Sequence, residues 1–274
     1  MESYSILMSV YHKEKPEHLT ACIQSMMDQT VRTDDFVIVC DGVLTPELDS
    51  VLNNFQNNNP GVFQIIRLPQ NIGIGAAANV GLRYCKNELI AKMDSDDISL
   101  PWRCEKQIRL FEQHPDLSVV GGYIAEFEED PQNPFAIRTV PERNEDIRKF
   151  ARRRQPFNNV SVMYKKSAVT AVGGYRALSR CEDFDLYTRL LHAGCSAMNI
   201  GEVLVNVRVD KAGIYRRGSL DTLHGVMRSR GDAVKIGFSS VWDYLYCVIG
   251  ELLIIICPGF LRRIIYSTFL RQRC

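Results

Sequence analysis

Residues 88–103 read ELIAKMDSDDISLPWR. A mostly apolar run ends in Asp94, Ser95, Asp96 and Asp97, and Pro101 follows closely. The run has the composition of a buried strand, so three carboxylates fall where that strand leaves the core. Like charges at contact distance repel, at a cost that grows as water is excluded. A positive partner is therefore expected there. Asp94 and Asp96 flank a single residue, which on an extended chain turns both to the same side. Two carboxylates on one side make a hard, oxygen-rich site for Mn2+ or Mg2+, ions that take the rest of their shell from water and substrate phosphates. The competing reading is an acidic turn capping the helix that Pro101 opens. The strand directly upstream counts against it, because it puts the cluster at a sheet end.

Strand-like and helix-like runs alternate on both sides of this stretch. Upstream, residues 4–11 (YSILMSVY), 36–40 (FVIVC) and 63–68 (FQIIRL) are predicted strands. Between them lie helical patterns: Leu19, Ile23, Met26 and Met27 recur at steps of three and four, Thr45-Pro46 forms a helix start, and a helix is predicted over residues 75–85. Downstream, a helix to about Gln113 precedes a strand over residues 117–127. This rhythm predicts an α/β fold, a parallel-centred sheet with helices on both faces. Ligands of such sheets bind at the carboxyl ends of the strands, where Asp41 and residues 94–97 both fall. The second half is less regular. A basic helix is expected near residues 146–157, a short strand near 159–166, a helix over 182–194 stopped by Gly194, and a strand or hairpin over 199–209.

The 274 residues are enough to bury a large core. Formal net charge is +1, which gives no sign of a nucleic-acid binder. The charge is uneven, however. Residues 1–205 hold 22 basic and 27 acidic side chains, whereas residues 206–274 hold 11 and 5. Nine cysteines at irregular spacing, with no CxxC pair, read as small core residues in a reducing compartment rather than a zinc site or disulfide framework. The N-terminus has neither a basic n-region nor a cleavage site, so no signal peptide is expected.

Past Ser239 the composition becomes apolar, broken by Asp243 and Glu251. The clean run 252–261 is half a membrane span and contains Pro258-Gly259, with Arg262, Arg263, Arg271 and Arg273 beyond it. We expect an interfacial anchor, with apolar surface in the acyl boundary and arginines on anionic headgroups. A pair of core or dimer helices is the alternative. The resulting division is a catalytic domain over 1–210 and a basic, apolar helical extension over 211–274.

Two further features carry chemistry. Glu182-Asp183 opens the helix EDFDLYTR; acids are common in a first turn because they favour the helix dipole, yet an acid here at the same sheet edge could take a proton. Residues 71–81 (NIGIGAAANVG) approach a dinucleotide fingerprint, with Gly73, Gly75 and Ala78 in register and Asp94 downstream. A nicotinamide enzyme needs one acid for its ribose and has no use for three adjacent ones.

The order SVYHKE, VCDG, NIGIGAAANVGL, AKMDSDD and CEDFDL resembles the family-2 glycosyltransferases over about residues 4–210. These are inverting enzymes with a type-A, nucleotide-diphospho-sugar transferase fold. DSDDISLPWR, RRRQPFNNVSV and RRG are similar to the bacterial members that build O-antigen or capsule repeat units, often as galactosyl- or glucosyltransferases. The resemblance implies roles by position: Asp41 at the uracil or its ribose, with Tyr11, Asn71 and Gly75 in the donor site; Asp94 beside the sugar and ribose; Asp96, with Asp94, on the metal; Asp183 as catalytic base, with Glu182 beside it. It also implies a UDP-sugar donor, a polyprenyl-diphosphate-linked sugar acceptor, Mn2+ or Mg2+, and a place on the cytoplasmic face of the bacterial inner membrane. Arg152, Arg153, Arg154, Arg216 and Arg217 could meet the acceptor diphosphate. A nicotinamide oxidoreductase and a non-catalytic module that binds sugar nucleotide remain as alternatives at this point.

Overall fold

The computed structural model describes residues 2–178, 180–209 and 219–256, with the backbone of 272–273. Four parallel strands form its centre: β1 (Tyr4–Val10), β2 (Phe36–Cys40), β3 (Phe63–Arg67) and β4 (Leu89–Asp94), in the spatial order β3-β2-β1-β4. Each pair is joined through a helix: α1 (Pro16–Met27), α2 (Pro46–Asn58) and α3 (Ile74–Tyr84). The predicted start of α2 is present, since Thr45 Oγ1 accepts from the Leu48 amide and Pro46 fills the first turn. Every residue of β2 is buried, as expected of a strand covered on both faces. One core packs α1, α2 and α4 (Arg103–Gln113) on one side, and a second lies under α3 and α7 (Glu182–His192) on the other. At Gly81 α3 lies so close to the sheet that a Cβ would sit 2.3 Å from Leu7 Cδ1.

Beyond β4 the sheet turns mixed. The two-residue β5 (Ile98–Ser99) leads to α4 and the long β6 (Leu117–Phe127), followed by β7 (Ala136–Arg138), α5 (Asn144–Ala151), β8 (Met163–Lys165) and α6 (Lys166–Ala171). β8 runs antiparallel between β4 and β6, and β9 (Ser196–Arg208) runs parallel to β6. The predicted basic helix thus ends at Ala151, short of Pro156, and the strand expected near 159–166 is β8 with a turn of 3₁₀ helix ahead of it. β5 pairs antiparallel with β9, which folds the end of β9 back over the acidic stretch. Arg103, fully buried, donates to the Lys92 carbonyl at 2.6 Å and the Val162 carbonyl at 3.3 Å, where β4 and β8 part.

The C-terminal segment forms α8 (Leu220–Lys235), which packs on α7, and α9 (Val241–Ile256), which packs on α8. Asp243, an interruption in the sequence pattern, is buried in an ion pair with Arg153 (2.5 Å). Among the described residues no helix is long and apolar enough to cross a membrane. Arg216, Arg217, Arg262, Arg263 and Arg271 lie outside the described residues.

Candidate active site

The carboxyl ends of the four parallel strands share one edge. The register pairs Ser9 with Asp94 and Val10 with Cys40, so Tyr11, Asp41 and residues 94–97 emerge together. At the end of β2, the Asp41 carboxylate accepts from the amides of Ile72 (2.7 Å) and Gly73 (3.0 Å), and Asn71 Nδ2 donates to the Asp41 carbonyl at 3.2 Å. Asp41 therefore holds the loop that opens α3, and its charge already occupies amides that a dinucleotide pyrophosphate would need. Tyr11 stands at the rim with its ring exposed. Gly75 is buried against the other half of the site, where a Cβ would lie 3.3 Å from Glu182 Cγ.

The acidic stretch is shaped by partners that sequence reading missed. Lys92, two residues before Asp94 on the same face of β4, is buried and its Nζ lies 2.7 Å from Asp94 Oδ1. Burial works hardest against the Lys92 ammonium, but the charge and hydrogen bond of Asp94, joined by Tyr175 and Glu182, together outweigh it and its pKa rises. Ser95 Oγ donates to Glu14 Oε2 at 2.5 Å, which brings a fourth carboxylate to the cluster. Asp97 is buried and accepts from the Arg208 amide at 2.8 Å, while Arg208 Nε donates to the Asp96 carbonyl at 3.3 Å. Burial, then the charges of Asp94 and Glu14, push Asp96 up to about 6. Burial, then Asp96 and Asp94, push Asp97 well above the usual carboxylate range.

The second acidic pair comes to the same place. Glu182 and Asp183 begin α7, directly after Cys181, a non-glycine residue in the left-handed region at φ 64°. Such backbone costs on the order of 1 kcal/mol or more and clusters at functional sites. Asp183 Oδ2 accepts from Gln155 Nε2 at 2.7 Å and Oδ1 from the Phe184 amide at 2.7 Å. Burial raises the Asp183 pKa; those two hydrogen bonds oppose it, and Asp94 adds to it. Glu182 is raised by burial and then by Asp183, with Lys92 opposing and Asp94 adding. The mutual influence of Asp94, Lys92, Glu182 and Asp183 places all four in one electrostatic unit. Asp41 and Asn71 stand apart from it, one strand beyond β1. Of the residues missed, Lys92 had a usable signal, the parity it shares with Asp94 and Asp96. Glu14, Gln155, Tyr175 and Arg208 reach the site only through the fold.

A family model described as "Glycosyl transferase family 2" matches residues 5–177. An uncharacterized glycosyltransferase of Haemophilus influenzae is 37% identical over 269 residues, covering 98% of this chain and 99% of its own. An Escherichia coli protein named UDP-Gal:alpha-D-GlcNAc-diphosphoundecaprenol beta-1,3-galactosyltransferase is 32% identical over 269 residues, covering 98% and 97%. Among solved structures, a mannosyltransferase of Pyrobaculum calidifontis in complex with GDP-Man and Mn2+ superposes with a TM-score of 0.67 at 14% identity, covering 92% of this chain and 69% of its own. At that identity the likeness speaks for the fold, which is the type-A glycosyltransferase fold. The chain belongs to glycosyltransferase family 2.

Proposed function

We propose that this chain transfers a hexose, with inversion, from a UDP-sugar to a sugar carried on a polyprenyl diphosphate, as a step in building a bacterial surface polysaccharide. UDP-galactose is the first donor to try and UDP-glucose the second, because the 32% identical Escherichia coli relative carries UDP-Gal and a diphosphoundecaprenol acceptor in its name. The observation that carries the reading is that Asp94, at the end of β4, acts on both Glu182 and Asp183, with Asp96 in the turn that follows it.

The donor set fits a hard divalent ion. Asp94 ends β4 and Asp96 follows in the turn, two carboxylates one residue apart, and Asp96 at about 6 marks a cluster short of positive charge. Held by these two carboxylates, such an ion would keep its remaining positions for water and diphosphate oxygens. A bound Mn2+ or Mg2+ supplies Lewis-acid stabilisation to the departing diphosphate. The rest falls to the chain itself. Asp183 takes the proton of the acceptor hydroxyl as that oxygen attacks the anomeric carbon; one displacement turns an α-linked donor into a β-linked product. Its raised pKa makes it a stronger base than an exposed aspartate. Gln155 and the Phe184 amide fix both its oxygens, so the proton-accepting lone pair has a set direction. Lys92 holds Asp94 in place beside the sugar. Asp41 holds the loop 71–73, and the exposed Tyr11 ring offers the uracil a stacking face.

The acceptor side is basic. Arg152 and Arg154 are exposed at the end of α5 and suit a diphosphate. α9 exposes Trp242, Tyr246, Ile249, Leu253 and Ile256, which suits peripheral attachment to the cytoplasmic face of the inner membrane. Incubation of the full chain with a panel of UDP-sugars, Mn2+ and a GlcNAc-diphosphate-lipid acceptor, read by mass spectrometry, tests the reading. Acceptor gaining one hexose is the expected result, and acceptor of unchanged mass with every donor overturns it.

A further inference from the structure

Arg230 lies on α8, outside the residues that the family model covers. It is buried, and its guanidinium sits 3.5 Å from the centroid of the Phe184 ring. Nη1 donates to the Ala151 carbonyl at 3.1 Å and Nη2 to the Arg153 carbonyl at 2.9 Å. The Ala151 carbonyl closes α5, where orphan acceptors and the negative end of the helix dipole favour a cation, and the Arg153 carbonyl lies two residues beyond it. A guanidinium that stacks on an aromatic face while its edge donates to carbonyls uses both of its binding modes.

What Arg230 touches is what grips Asp183. The segment it fixes at residues 151 and 153 continues directly to Gln155, whose Nε2 donates to Asp183 Oδ2. The ring it stacks on belongs to Phe184, whose amide donates to Asp183 Oδ1. One buried side chain thus braces the supports of both carboxylate oxygens. Its surroundings hold it in turn: Arg176 bridges Asp185 and Asp232 at 3.3 Å each, and α8 approaches the start of α7 so closely that a Cβ on Gly225 would lie 2.8 Å from Arg180 Cβ.

We propose that Arg230 is a positioning residue for Asp183, and that α8 is thereby part of the catalytic apparatus. The proposal rests on the reading of Asp183 as the base. Displacing a reacting group by about 1 Å can cost on the order of a hundredfold in rate. Arg230→Gln should therefore lower kcat roughly 10- to 100-fold with the KM for UDP-sugar unchanged, and Arg230→Lys, which keeps the charge, should recover part of the loss. Phe184→Leu removes the stacking face and should mimic it, so a poorly folded Arg230→Gln protein would not end the test.

The deciding experiment is a double-mutant cycle in the full chain, with UDP-galactose, Mn2+ and a GlcNAc-diphosphate-lipid acceptor. Asp183→Asn alone should lose about 100- to 10,000-fold, and adding Arg230→Gln should change that by less than about threefold, since the group it positions is already gone. Losses that multiply overturn the proposal and leave the base reading intact. Full activity of Asp183→Asn overturns the base reading and the proposal with it. Hydrogen exchange decides the matter apart from turnover: Arg230→Gln should expose amides in 152–155 and 181–185 while 92–97 stays protected, and unchanged exchange overturns the proposal.

Discussion

Asp96→Asn should make the metal-free protein more stable. Asp96 titrates at about 6 in the fold against 3.8 for an unperturbed carboxyl. Its folded pKa lies above its unfolded one, so the fold binds more protons than the unfolded chain between those values, and stability falls as pH rises through that window. The penalty is absent below the unfolded value and complete above the folded one. At roughly 1.4 kcal/mol per pH unit of difference, it comes to about 3 kcal/mol at neutral pH. Solvent screening at this partly exposed carboxylate lowers that to about 1–3 kcal/mol, or roughly 3–8 °C in melting temperature for a chain of this size. Asparagine keeps the shape, removes the charge and also relieves Asp97. Thermal melts in EDTA should show the gain at pH 7.5 and about half of it at pH 5. With Mn2+ and UDP added, the wild type should gain by ligand linkage and the variant should not. A variant that melts at or below the wild type at pH 7.5, or whose gain is the same at pH 5, would refute the idea that Asp96 is held against its own electrostatics for a cation.

Asp183→Asn should lose about 100- to 10,000-fold in rate yet bind UDP-sugar as the wild type does; calorimetry showing donor affinity lost along with rate would make Asp183 a donor ligand instead. Asp41→Asn should raise the KM for the donor and cost about 1–3 kcal/mol of stability, because two amides lose a charged acceptor; unchanged melting and KM would show that the loop 71–73 holds itself. The full chain should sediment with anionic vesicles, and Ile249→Asp with Leu253→Asp should release it, since both side chains are exposed on α9. Sedimentation that survives both changes would place the membrane contact elsewhere.

What could be read from the sequence was local in origin. An apolar run ending in acids needs only its neighbours to declare a strand end, and parallel topology then carries Asp41 and Asp94 to one edge. Residues that arrive through tertiary pairing were not readable. Arg208 meets Asp97 because β5, only two residues long, pairs with β9 across more than a hundred positions of sequence. A strand that short has no periodicity to detect. Asp243 broke an apolar pattern and looked like a blemish in a membrane-facing helix, yet it is the buried partner of Arg153. Arg230 was one of many basic residues in a basic tail. Only the packing of α8 on α7 separates it from solvent-facing charge.

The anomeric configuration of the product is the most direct test of inverting transfer by Asp183. Proton NMR of the product formed from UDP-α-galactose, or from whichever α-linked UDP-hexose is consumed, should show a β-linked hexose on the acceptor, with none formed in excess EDTA. An α-linked product, or free hexose with the acceptor unmodified, would contradict a single displacement driven from the acceptor hydroxyl.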